Sequence, residues 1–146
     1  MRIKPFSFVL LSVFTCLLFA AEKSVSTTSV ISPLVGTWEI VSVKYGNATT
    51  FSDPPADRKS VKFVTPTHFI WIWVNPKTGQ VSNSMGGRYK HEGDSYVETV
   101  EFAMPRMEVY VGKDQKFTAK LEGDKWIHSG VLSEGQKIEE IWKRVK

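Results

Sequence analysis

The spacing of its turn signals constrains this chain more than any other feature. Asn75-Pro76-Lys77-Thr78-Gly79, Glu92-Gly93-Asp94, Gly112-Lys113-Asp114, Glu122-Gly123-Asp124 and Ser133-Glu134-Gly135 follow one another at short intervals. Glycine tolerates the positive φ of tight hairpins, so each signal predicts a reversal of the chain. The segments between them are rich in Val, Ile, Thr and aromatic residues, and some alternate: Phe117, Ala119 and Leu121 are apolar, whereas Lys116, Thr118, Lys120 and Glu122 are polar. A period of two describes a strand with one buried face. No window between turns sustains the apolar period of a helix, so helices must be short and few. A local similarity supports the hairpins: Lys90-His91-Glu92-Gly93-Asp94-Ser95-Tyr96 recurs as Lys120-Leu121-Glu122-Gly123-Asp124-Lys125-Trp126.

These signals predict an all-β domain with strands near 36–45, 59–65, 67–74, 80–91, 95–104, 115–122, 125–132 and 137–145. Eight strands, at most ten, joined by short hairpins form an antiparallel up-and-down meander. Closing the meander on itself removes its exposed edges and leaves an interior filled by side chains or by one small ligand.

The start of the chain has a different character. Arg2 and Lys4 precede the apolar run Phe6–Phe19 and the small residues Ala20 and Ala21, the pattern of a secretory signal over residues 1–21. The run is shorter than the roughly 18 to 20 residues a membrane-spanning helix requires, so no stable membrane span is expected after cleavage. The chain is therefore expected to be secreted or periplasmic. Acylation at Cys16 is the weaker alternative, because Phe14 and Thr15 are poor neighbours for lipoprotein processing. Residues 22–32 read as a flexible leader and 33–146 as the folded domain. Cys16 is the single cysteine, so the mature domain is expected to contain neither a disulfide nor a thiolate site.

The balance of 19 basic to 15 acidic residues becomes 17 to 15 without Arg2 and Lys4. The cations are scattered among acids, which argues against nucleic acid as a partner.

The segment Gly36-Thr37-Trp38 resembles the Gly-x-Trp signature that opens the barrel of calycins, the superfamily of lipocalins and fatty-acid-binding proteins. The end, from Glu139 to Val145, resembles their closing strand. That resemblance implies that Arg144, or failing it Lys143, packs over Trp38 at a sealed barrel floor. From Gly36 to Lys146 the chain is similar to bacterial secreted lipocalin-like domains of unassigned function, through Thr67-His68-Phe69, Gly86-Gly87-Arg88-Tyr89, Tyr96-Val97-Glu98 and Asp124-Lys125-Trp126. It departs from the fatty-acid-binding branch twice. The interval 46–58 contains Pro54-Pro55 and is too short for a two-helix lid. Glu140-x-Trp142 also stands where that branch holds a carboxylate with Arg-x-Tyr.

Several side chains are candidates for the barrel interior. Trp71 and Trp73 share a strand face and would offer stacking surfaces if that face is the inner one; otherwise they are only core and barrel wall. Tyr96, Glu98, Val100 and Phe102 share one face of their strand and Val97, Thr99 and Glu101 the other, so one carboxylate should point inward. An inward Glu needs a partner, and Arg88, Lys44 and His128 are the candidates. Tyr89 and Trp126 complete the candidate ligand-binding set of Trp71, Trp73, Arg88, Tyr89, Tyr96, Glu98, Trp126 and His128. Met104-Pro105-Arg106-Met107 would form a soft rim to the mouth, or an ordinary connection. His68, His91 and His128 lie on different strands without ligand spacing, so neither metal nor cofactor is expected.

Three functions remain open. The calycin resemblance implies binding of a small hydrophobic or amphipathic molecule inside the barrel. A filled barrel would act through its outer surface. A buried Glu/His acid–base pair would make it an enzyme, although no nucleophile elbow, HExxH or phosphate loop is present.

Overall fold

The computed structural model describes residues 31–146. The expected signal and nearly all of the expected leader lie outside the described residues. The domain is a closed antiparallel barrel of eight strands in chain order: β1 Gly36–Tyr45, β2 Lys59–Val64, β3 His68–Val74, β4 Val81–Glu92, β5 Ser95–Ala103, β6 Asp114–Glu122, β7 Lys125–Val131 and β8 Lys137–Arg144. Each boundary falls within one residue of the sequence expectation, because the turn chemistry sets it. Between β2 and β3, for instance, Thr65 Oγ1 accepts the backbone N–H groups of Thr67 and His68 and fixes where β3 begins. The connection from Met104 to Met107, expected as a rim or plain loop, leads from extended Met104 into a short 3-10 helix, Pro105–Tyr110, the one helical segment among the described residues.

The two similar segments of sequence form the same two-residue hairpin. Gly93 and Gly123 carry φ near +60° while the aspartates after them keep negative φ, as in a type II′ turn. In both turns the Asp carbonyl accepts from the strand alongside, Asp94 O from Ala119 N (2.8 Å) and Asp124 O from Arg144 N (2.9 Å).

Two bulges reset which residues face inward. In β1 the pairing with β8 slips at Val41, so Trp38, Ile40, Val43 and Tyr45 point inward rather than Ser42 and Lys44. In β5 the slip falls at Glu101, opposite Gly86-Gly87. This corrects the expected face of Phe102, which turns outward and is 48% exposed while Tyr96, Glu98 and Val100 are buried. Gly87 makes the bulge possible, since a Cβ there would stand 2.0 Å from Thr99 O.

Closure comes from β1 pairing with β8, which sets Trp38 opposite Arg144. The guanidinium lies 4.1 Å from the centre of the indole. Its two terminal nitrogens donate to Val35 O (2.8 Å) and Pro33 O (2.7 Å), and the indole N–H donates to Leu34 O (2.8 Å). The chain ahead of β1 is thereby folded across the end of the barrel. Gly36 is required there, because a Cβ would collide with the Arg144 guanidinium. Above this plug, Trp38 meets Trp126 edge-on at 5.5 Å and Trp126 meets Tyr96 at 5.1 Å, with Phe69 buried alongside.

Trp38→Ala should cost about 3–5 kcal/mol, the range for truncating a buried Trp. Arg144→Ala should cost about 1–3 kcal/mol, because two backbone carbonyls lose their donors. Urea denaturation measures both, and unchanged midpoints would contradict this account of the floor.

Candidate functional site

With one end plugged, the barrel interior opens at the other as a cavity of about 380 Å³. Its wall is built from inward positions: Ile40 and Val43 of β1, Trp71 of β3, Met85 of β4, Phe117 of β6 and Ile138 of β8. The rim holds Tyr45, Arg58, Trp73, Leu132 and, from the 3-10 helix, Met107 and Tyr110. Pro54 and Pro55 reach the same mouth from the β1–β2 connection.

The base of the cavity is polar. Lys62 Nζ meets Glu98 Oε1 at 2.6 Å, with side chains only 3% and 1% exposed. The ammonium is surrounded by rings, 5.1 Å from the centres of Trp126 and Trp142, 5.7 Å from Tyr96 and 5.8 Å from Phe69. Four ring faces and one carboxylate compensate for the water that this cation loses.

Beside this pair, Glu140 collects three donors: Tyr45 OH at 2.7 Å, Trp142 Nε1 at 3.0 Å and His128 Nδ1 at 3.1 Å. An ionised carboxylate only accepts, so the imidazole proton sits on Nδ1 and Nε2 is bare. Burial, joined by the nearby charge of Lys62, pushes the His128 pKa down despite the opposing pull of Glu140, and the ring is neutral at pH 7. Burial alone would raise the Glu140 pKa, but the His128 hydrogen bond, with Lys62 and Tyr45, more than offsets it and holds the carboxyl below its ordinary range. Burial and the Glu140 charge push the Tyr45 phenol far up, so it remains a donor.

Residues 33–146 match the family profile of a domain of unknown function, DUF4488. The chain belongs to the DUF4488 family. Among solved structures, this DUF4488 domain is similar to an uncharacterized protein from Bacteroides eggerthii DSM 20697, at 14% identity over 76% of this chain and 98% of that one, with a TM-score of 0.53. It is equally similar to a lipocalin-like protein from Bacteroides uniformis ATCC 8492, at 15% identity over 77% and 98%, with a TM-score of 0.53. A redesigned β-barrel matches at 13% identity over 77% and 92%, with a TM-score of 0.50. At such identities the likeness concerns the fold, which is lipocalin-like. No curated protein matches the chain.

Of the residues singled out from sequence, Trp71, Trp73, Glu98 and His128 line the cavity of the DUF4488 barrel. Tyr96 and Trp126 lie beneath it in the floor, fully buried. Tyr89 sits at the closed end, its ring 5.4 Å from that of Tyr96 and its hydroxyl donating to Thr65 O. The expectation for Arg88 is corrected: it follows the inward Gly87 on β4, so it turns outward, is 70% exposed and pairs with Glu101.

The partners expected for an inward Glu are corrected as well. Lys44 is on the outer face because of the β1 bulge and holds Glu139 at 2.6 Å, while His128 holds Glu140. Lys62 and Glu140 were not singled out as a base. A strict two-residue alternation in Lys59-Ser60-Val61-Lys62-Phe63-Val64 sets Val61 and Phe63 against Lys62, and the apolar pair reads as the buried face. Among the described residues no group of three or more His, Cys, Asp or Glu could hold a metal ion.

Lys62→Met strands a buried carboxylate and should cost about 3–5 kcal/mol, whereas Lys62→Met with Glu98→Leu should recover most of that loss. Denaturation of the three proteins checks this, and a double variant as unstable as the single one would refute it.

His128 is depressed in the folded state, so on acidification below its ordinary 6.5 the unfolded chain takes up the proton first. Its contribution is complete above pH 6.5 and is lost as the pH falls through the lower folded value. Glu140 adds a loss of the same sign starting lower, near its ordinary 4.5. Melting temperature should therefore fall from pH 6.5 to 5 in the wild type and fall less in His128→Gln; parallel profiles would disprove the neutral imidazole.

Proposed function

We propose that this domain binds a small hydrophobic or amphipathic molecule inside the barrel. The observation that carries this reading is the cavity of about 380 Å³, walled by aliphatic and aromatic side chains and open at one end only. Such a recess, apolar with a few placed polar groups, is the usual chemistry of a small-molecule site. Trp71 and Trp73 meet edge-on at 5.0 Å and present ring surface to an occupant. The lipocalin-like fold supports the same reading by analogy only, since a fold hosts many functions.

The filled-barrel alternative is disfavoured by the size of the cavity. The acid–base alternative is favoured by the His128–Glu140 pair, which has the geometry of an oriented base. Against it, His128 Nε2, the atom such a base would use, is buried without a partner or exposed surface.

Thermal-shift screening against fatty acids, aromatic acids, tetrapyrroles and glycans tests the binding reading. A true ligand at 100 times its dissociation constant should add about 2.7 kcal/mol to stability. Met85→Trp, which fills the cavity from its wall, should abolish that response while leaving a folded barrel. A panel without any stabilising compound, or a response that survives Met85→Trp, would count against it.

A further inference from the structure

A second recess of about 280 Å³ adjoins the cavity mouth, and Arg58 and Trp73 belong to the walls of both. The Arg58 guanidinium lies over the Trp73 ring, 4.4 Å from its centre. Its Nε is buried without a hydrogen-bond partner. Asp57 Oδ1 stands 3.5 Å away, an ion-pair distance without hydrogen-bond geometry, and the Asp57 side chain is mostly in solvent. Arg106, exposed in the 3-10 helix, brings a second guanidinium to the recess.

The two asparagines there have their oxygens engaged already. Asn75 Oδ1 accepts from the backbone N–H groups of Lys77 (2.9 Å) and Thr78 (3.2 Å), and Asn83 Oδ1 accepts from that of Ser84 (3.0 Å). Asn83 is only 3% exposed, so this engagement belongs to the fold rather than to a mobile surface group. Both asparagines keep their NH₂ donors for an occupant. Two guanidinium groups and the amides of Asn75, Gln80 and Asn83 thus make the recess rich in donors, beside the Ser82 hydroxyl and one solvated carboxylate.

We infer that the ligand is an amphiphile whose oxyanionic head (carboxylate, sulfate or phosphate) is held in this recess by Arg58 and Arg106, with its apolar body in the barrel. The inference rests on the proposed binding function and sets the ligand's orientation. At the barrel base Lys62 is already joined to Glu98, and Glu140 lies beside it, so an anionic head is disfavoured there. Guanidinium forks at the mouth match an oxyanion in shape and charge. The head therefore stays at the rim while the tail passes Trp73 and Trp71 into the wall of Ile40, Val43 and Ile138.

The test is calorimetric titration of the protein with decanoate, decan-1-ol and decyltrimethylammonium, each below its micellar concentration, and with inorganic phosphate and sulfate alone. Decanoate should bind at least about tenfold more tightly than decanol, equivalent to about 1.4 kcal/mol. The ammonium amphiphile should bind more weakly than decanol. Arg106→Gln should reduce the preference for the acid by about threefold, the scale of a partly exposed charge contact. Arg58→Gln with Arg106→Gln should remove it, and denaturation midpoints verify that both variants fold. Equal affinity for acid and alcohol, or a preference that survives the double variant, overturns the head-group assignment and leaves the cavity reading standing. Binding of inorganic anion without binding of any amphiphile overturns the inference and makes the recess a free-anion site. If none of the five compounds binds, the inference and the binding function fall together.

Discussion

The structure depends on the contact between Trp38 and Arg144. These residues lie at opposite ends of the domain sequence, and they face each other because β1 and β8 pair. The contact does three things at once. It stacks a cation on an indole, it ties Pro33 and Val35 across the barrel end, and it occupies the space above Gly36 that any side chain would need. A meander without this closure would expose two strand edges and leave its aromatic interior open to water at both ends. With it, one end is sealed, and the interior can open only toward the 3-10 helix and the prolines of the β1–β2 connection.

The interior is graded from floor to mouth. The floor is aromatic and fully buried, the layer above it is ionic but paired, the wall is aliphatic, and the rim carries arginine. Buried charges are tolerated in the second layer because each has a counterpart: Lys62 with Glu98 inside a box of four rings, and Glu140 with three donors. Such pairs contribute little net stability compared with apolar residues of the same shape. Their presence beneath an open cavity is therefore easier to understand as a constraint on what lies above them than as reinforcement of the fold.

Much of the scaffold was legible in the sequence, because turns and short alternating strands are encoded locally. Gly93-Asp94 and Gly123-Asp124 reverse the chain wherever they occur, and Thr65 starts β3 through its own neighbours. Trp71, Trp73, Glu98 and His128 were legible as candidates for the interior, but alternation alone did not say which face of each strand is the inner one, nor which of Glu98 and Glu101 points inward. Phe102 and Lys44 were misplaced because of bulges. One extra residue, Glu101 in β5 and Val41 in β1, inverts the face of everything beyond it, and no residue type marks the slip beforehand. Lys62 escaped notice because hydrophobicity ranks Val61 and Phe63 above it as core residues. Phe63 is in fact 42% exposed, and Lys62 is buried by rings contributed from β3, β5, β7 and β8.

Local chemistry by itself determined that this chain is all-β, how many strands it has, and where each begins and ends. Those properties follow from backbone preferences and from periodicity within a few residues. The tertiary structure alone decided which carboxylate meets which cation, and that Arg88 looks outward while Arg58 guards the mouth. Such assignments rest on bulges and on the convergence of side chains from strands distant in sequence, and distance along a chain carries no record of direction across a barrel.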